Sequence, residues 1–149
     1  MLLIGTKNIG TQTVPADGSI NIGSVYRRYC KKNRCGIPAF SETSNGITLK
    51  HEGIYHVTAV LVGTGDTAGD ITIQLLENGE IVTGALSTQT ITTPNTEFRT
   101  FVIDYYIKVD TDCILGYKST VAKTISFTNT SEDIAATFTS VVVNITKEV

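Results

Sequence analysis

The chain has 149 residues, of which 41% are hydrophobic and 17% charged, and its formal net charge is −2. This length is enough for one domain with a real core, and a composition rich in Thr, Val and Ile favours an all-β fold over disorder. The charge balance predicts no affinity of the surface as a whole for nucleic acid or membranes. No apolar run reaches the roughly 18 residues of a transmembrane span. Residues 1–4 lack the flanks of a signal peptide, so we expect synthesis in the cytoplasm.

Within the N-terminal segment 1–46, residues 1–24 alternate weakly in polarity and carry turn signals at 15–18 and 21–23. This pattern predicts one or two edge strands, or an arm, followed by a loop. We expect this segment to belong to the same single domain as a β core at 47–149.

A basic loop, bracketed by two cysteines, interrupts the N-terminal segment. It holds five of the chain's 12 basic residues, so the remainder carries seven basic against 14 acidic residues. The loop residues are Arg27, Arg28, Lys31, Lys32 and Arg34, with Cys30 and Cys35. The loop fits a solvated segment closed by a Cys30–Cys35 disulfide or carrying two free thiols, and it fits a docking contact with an acidic protein surface.

Other uses of the cysteines and basic residues have less support. A zinc site needs more ligands than one cysteine pair, and His51 and His56 lack finger-like spacing. Five charges in one loop form a weak footprint for nucleic acid. Cys113 is expected to be a small buried core residue, and the odd number of cysteines argues against a secreted disulfide scaffold.

The clearest strand signals lie between residues 47 and 82. Alternation along 54–62 places four side chains on one face of a strand, with an opposite face that is only partly polar. The four are Tyr55, Val57, Ala59 and Leu61. A second strand at 71–76 runs into Asn78-Gly79, the strongest short hairpin signal, because both turn residues take positive φ. The loop at 63–70 is interpreted as a plain turn, since it lacks the ligand order of a calcium loop.

The second half of the chain continues in strands. Residues 83–95 are expected to form a Thr/Ser-rich connection, either without a strand or with a short one at 90–92. A long strand at 98–109 then places Phe101, Ile103 and Tyr105 on one face. Further strands are expected at 113–117, 124–128 and 136–146. Eight to ten short strands at regular spacing without a convincing helix predict an all-β sandwich or barrel.

No constellation of catalytic residues is present in the sequence. His51 and His56 are the only histidines, and neither stands near a nucleophile motif. The acidic residues are scattered and form no spaced pair of the glycosidase type. We therefore expect no enzymatic activity and no cofactor.

The strands from residue 47 onward resemble the C1q-like and tumour-necrosis-factor-like (TNF-like) jelly roll. The resemblance rests on 53–57 followed by a strand closing on Asn78-Gly79, on 101–114, and on 138–143. It implies an antiparallel two-sheet jelly-roll sandwich over residues 47–149. The sequence departs from the family pattern at Val57, where an aromatic residue is usual, and at 110–112, where the turn glycine is missing.

The N-terminal part resembles small virion proteins of tailed phages and of prophages from gut bacteria. The matching features are 12–18, 22–25 and the cysteine-bracketed loop before the Gly-Ile-Tyr strand. The resemblance implies a capsid decoration, head-fibre or tail-associated module that is made in the bacterial cytoplasm and assembles as a homotrimer. By analogy, one face of the Tyr55 strand or of the Phe101–Tyr105 strand packs near the trimer axis. A core strand and an interface strand give the same pattern, so both readings stay open.

Two classes of function follow from this reading. The first is a structural virion protein that docks on phage capsid or tail proteins through the basic loop or the N-terminal arm. The second is a module that binds a glycan or a protein of the host surface. Glycan binding favours exposed aromatic residues in loops, and the loops 63–70, 83–95 and 129–133 contain none. Their absence favours the structural function.

Overall fold

The computed structural model describes residues 2–29, 38–114 and 116–148 of the chain. Within these ranges the chain forms thirteen β-strands and no helix. The strands are β1 (Leu2–Asn8), β2 (Gln12–Val14), β3 (Ser24–Arg28), β4 (Phe40–Thr43), β5 (Gly46–Leu49), β6 (Gly53–Gly65), β7 (Gly69–Glu77), β8 (Glu80–Ile91), β9 (Arg99–Val109), β10 (Thr111–Ile114), β11 (Tyr117–Thr120), β12 (Lys123–Asn129) and β13 (Ala136–Lys147). This number exceeds the eight to ten expected because several strands have only three to five residues, too few to show alternation.

The strands form two antiparallel sheets. Sheet A has the order β3-β1-β13-β6-β9, with β2 also pairing with β13, and sheet B has the order β4-β5-β12-β7-β8. Strands β10 and β11 form a separate hairpin. Successive strands such as β6 and β7 belong to different sheets, so the turn at 66–68 carries the chain from one layer to the other. This two-layer antiparallel topology is a jelly-roll sandwich, as predicted.

Alternate residues of both sheets meet in one core between the layers. The inward side chains of β6 and β9 that alternation had grouped together are buried: Tyr55, Val57, Ala59, Leu61, Phe101 and Ile103. Tyr105 is partly buried and packs against the core. Phe101 meets Phe138 of β13 edge to face, with ring centroids 6.1 Å apart. Each large apolar side chain buried in this way contributes about 1.5–3 kcal/mol before the entropy of ordering is subtracted.

The N-terminal segment is built into sheet A. The sequence predicted an edge strand, but β1 lies between β3 and β13. Its Ile4 is fully buried, as are Ile20 and Ile22 in the following segment. The polarity of β1 alternates weakly because its residues 3–6 are all buried, so the strand lacks the polar face of an exposed edge.

The prediction of a Thr/Ser-rich connection over residues 83–95 is wrong for residues 83–91. Residues up to 91 continue β8, which pairs with β7 from Gly69↔Ile91 to Glu77↔Glu80. Strand β8 is the edge of sheet B and exposes most of its residues, so apolar alternation is absent although Thr suits a pleated surface. The hairpin before it is confirmed, with φ of 53° at Asn78 and 80° at Gly79.

The carboxylate of Glu97 accepts hydrogen bonds across the short connection between β8 and β9. Its Oε2 accepts the backbone N–H of Thr93 at 2.9 Å, and the hydroxyl and N–H of Thr92 at 2.8 Å each. Its Oε1 accepts two N–H groups of Arg99. The Thr93 and Thr92 donors, followed by Arg99, lower the pKa of Glu97 from 4.5 to about 2, because they stabilise the charged carboxylate.

The side chain of Asn129, at the end of β12, forms hydrogen bonds with both the N-terminal segment and the β12–β13 loop. The side chain is fully buried. Its amide donates to the carbonyl oxygens of Val14 at 3.1 Å, Pro15 at 3.4 Å and Ile134 at 2.9 Å. Its Oδ1 accepts the N–H of Ser131 at 3.0 Å and the Ser131 hydroxyl. The residue therefore satisfies several polar groups from the N-terminal segment and from the β12–β13 loop at once.

Candidate functional site: the outer face of sheet A

The outward side of sheet A carries a row of apolar side chains across three strands. Cross-strand register places Val60 of β6 between Val142 of β13 and Val102 of β9. Val102 is 49% exposed. The row Ser140–Val62–Thr100 lies on one side of this valine row, and the rows Asn144–Thr58–Asp104 and then Thr146–His56–Tyr106 lie on the other. We call these four rows the outer face of sheet A.

One end of the outer face is a cluster around His56. The imidazole Nε2 of His56 contacts the Asp104 carboxylate, and its Nδ1 lies 3.9 Å from Oε1 of Glu148. The ring stacks on Tyr106 with centroids 4.6 Å apart and an interplanar angle of 11°. Tyr106 is nevertheless 60% exposed. The cluster therefore holds a large aromatic surface in a fixed position toward solvent.

Tyr26 of β3 extends the outer face across β1. Its hydroxyl donates to Oδ1 of Asn144 at 2.5 Å, and the Lys7 ammonium lies 5.5 Å from its ring centroid. A Cβ at Gly5 would lie 2.7 Å from both the Tyr26 ring and Asn144. Only glycine at this position of β1 leaves room for the ring to cross the strand.

The predicted docking loop is described only in part. Arg27 and Arg28 lie in β3 and are exposed. An amino group of Arg28 lies 3.1 Å from Oε1 of Glu42 in β4, so the pair joins the edges of the two sheets. Such an exposed pair contributes at most about 1 kcal/mol. The other members of this prediction, Cys30, Cys35, Lys31, Lys32 and Arg34, lie outside the described residues.

The residues proposed for a core or axis strand lie on the inward side of the outer-face strands. Tyr55 illustrates their environment: its hydroxyl donates to the His51 carbonyl oxygen at 2.7 Å, and burial raises its pKa to about 12. Sequence reasoning did not single out the outward residues. A signal was present, because the face opposite Tyr55 contains Val60 and Val62 and is only partly polar.

Three further expectations concern metals, membrane spans and the last cysteine. Among the described side chains, no group of three or more His, Cys, Asp or Glu residues could hold a metal ion. No helix in the described ranges is long and apolar enough to cross a membrane. Cys113 lies in β10, but its side chain is outside the described part of the structure, so its expected burial stays a prediction.

Comparison with known proteins identifies the fold. No protein-family model and no curated protein matches the sequence. The structure is similar to Eiger TNF from S. frugiperda, with a TM-score of 0.63, 12% identity, and coverage of 100% of this chain and 94% of that one. It is also similar to murine APRIL, with a TM-score of 0.50, 7% identity and coverage of 91% and 96%. PRD1 vertex protein P5 matches with a TM-score of 0.47, 14% identity and coverage of 97% and 93%. The chain has a TNF-like jelly-roll fold, as its sequence predicted.

Proposed function

We propose that the chain is a non-enzymatic structural protein of a phage virion and that it assembles as a homotrimer through the outer face of sheet A. The observation that carries the assembly is the contiguous row Val142–Val60–Val102, which one polar row, Asn144–Thr58–Asp104, separates from the exposed ring of Tyr106. Contiguous exposed apolar surface with a rigid aromatic side chain is typical of protein–protein contacts. The number of three subunits comes from the resemblance to trimeric jelly rolls.

In this proposal the inward side of sheet A forms the core, and its outward side forms the interface between subunits. The inward side chains of β6 and β9 pack within one chain, so they have no surface to offer a second copy. The outward side keeps its apolar groups half-buried or exposed. Association of this face would remove them from water, which is favourable by about 25 cal/mol for each Å² of apolar surface.

A charge substitution in the apolar row tests the interface. Val102→Lys places an ammonium where association would bury it, so we expect dissociation with a folded monomer, because the side chain is 49% exposed in the single chain. Ile81→Lys is the matched control, since Ile81 is a β-branched residue of β8 in sheet B with 54% exposure. Analytical ultracentrifugation measures both. A Val102→Lys protein that remains as large as the control would contradict the interface.

The position in the virion rests on the N-terminal resemblance. Capsid decoration, a head fibre and a tail-associated module are the forms it implies, with phage capsid or tail proteins as partners. The exposed Arg27 stands at the start of the basic segment proposed to dock on an acidic surface. Mass spectrometry of particles purified from a host that carries this phage or prophage should find the chain in constant stoichiometry. Its absence from purified particles would refute the virion location.

A further inference from the structure

A shallow pocket lined by hydroxyl- and amide-bearing side chains lies on the outside of sheet B, on the opposite side of the sandwich from the outer face of sheet A. Its volume is about 500 Å³. The β4–β5 turn, the β7–β8 turn and β12 form its walls. The side chains that line it are Ser19, Thr43, Asn45, Asn78, Thr124 and Ser126.

Gly46 of β5 also lines the pocket. A Cβ at this position would lie 2.9 Å from the carbonyl oxygen of Ile125 and 3.3 Å from Cγ2 of Thr124. Glycine at this position therefore allows β5 to approach β12 closely.

The lining offers hydrogen-bonding groups that the fold does not use. Oδ1 of Asn78 accepts the N–H of Thr124 at 2.9 Å, which fixes this side chain at the pocket wall. Within the described residues, no partner is present for the Asn78 amide nitrogen or for the side chains of Ser19, Asn45 and Ser126. Hydroxyls and amides both donate and accept. The pocket can therefore bind a ligand whose own groups do both.

The chemistry of the lining selects the ligand. None of the six side chains is charged, so an ionic ligand would lose hydration without gaining an ion pair. An added peptide strand is excluded as well, because β12 lies between β5 and β7 and its backbone already pairs on both sides. A neutral sugar presents several hydroxyl groups on a compact ring, and it matches the lining.

We propose that this pocket binds a single neutral sugar unit of a glycan. No aromatic side chain lines it, so stacking adds nothing, and we expect a dissociation constant of about 1 mM or weaker for a free monosaccharide. This recognition would be independent of assembly through sheet A.

Titration of the full chain with neutral hexoses and N-acetylhexosamines, followed by amide NMR, tests the proposal. We expect saturable shifts at Gly46, Asn78 and Ser126 with at least one of these sugars. Ser126→Val replaces a hydroxyl group of the lining by methyl groups and should weaken binding at least about tenfold. Ser41→Val, on the same outward side of sheet B but outside the pocket lining, should bind as wild type does.

Three results would overturn the sugar site. They are the absence of saturable shifts with every neutral sugar, unchanged affinity in Ser126→Val, or binding of charged sugars only. Each of these results can be obtained whether the protein is a monomer or a trimer, so the test does not depend on the proposed assembly.

Discussion

Replacement of Asn129 by alanine should destabilise the chain more than deletion of any other amide side chain among the residues that the structure describes. The side chain is fully buried and bonds to Val14, Pro15, Ile134 and Ser131. Alanine keeps the backbone and removes every one of these bonds. Water cannot replace them without entering the packed junction between β2 and the β12–β13 loop.

The expected loss in the free energy of unfolding follows from the number of polar groups that lose their hydrogen bond to Asn129. The best-placed are the carbonyl oxygens of Val14 and Ile134 and the N–H of Ser131, at 2.9–3.1 Å. Each buried group without a partner costs about 1–3 kcal/mol, so the lower part of that range gives roughly 3–5 kcal/mol for the three. This is a large part of the 5–15 kcal/mol that is typical of a domain.

Urea unfolding at one fixed protein concentration measures this cost. The matched control is Asn8→Ala, which also removes an amide that both donates, to the Asn21 carbonyl at 3.1 Å, and accepts, from Gly10 N–H at 2.9 Å. Those bonds are exposed, so water replaces them and we expect a loss of about 1 kcal/mol or less. Equal free energies of unfolding for the two variants would refute the role assigned to Asn129.

Three further predictions concern the core, the β8–β9 connection and a close contact in sheet A. Tyr55→Phe removes the donor to the His51 carbonyl and should lower the free energy of unfolding by about 1 kcal/mol. Glu97→Gln should be less stable than wild type above pH 4.5, and the difference should disappear as the pH falls to about 2, because the folded-state pKa is the depressed one. Gly63→Ala places a Cβ 2.6 Å from Cδ1 of Phe138 and should cost about 1–3 kcal/mol.

Urea unfolding measures each of these three changes. Tyr55→Phe with wild-type stability would mean that the buried hydroxyl is satisfied in another way. A stability difference for Glu97→Gln that persists unchanged at pH 2 would show that the bonds to the carboxylate do not depress its pKa. Unchanged stability in Gly63→Ala would show that Phe138 moves aside without cost.

The features that the sequence predicts well are those with a strong local cause. Asn78-Gly79 forms the expected hairpin because few residues adopt positive φ at two successive positions. The alternation predicted from Tyr55 to Leu61 is observed because these side chains, on one side of β6, are all buried. A polar residue on that side would cost more than any local preference could offset.

The features that the sequence predicts poorly depend on neighbours that are distant along the chain. Strand β8 places the polar residues Ser87 and Gln89 opposite the buried Ile73 and Ile71, and it is a strand because it pairs with β7 at the edge of sheet B. Strand β1 lies inside sheet A because β13, more than a hundred residues later, pairs with it. The outer face of sheet A was not predicted for the same reason. Its valine row forms only when β13, β6 and β9 pair in register.

The native mass of the wild-type protein, measured by light scattering on a sizing column, tests the central claim most directly. Association through the outer face of sheet A into a homotrimer predicts three times the chain mass of 16.0 kDa. That mass should persist on dilution if the apolar row is buried in a stable contact. A mass of one chain at every concentration would contradict both the trimer and the interface proposed for it.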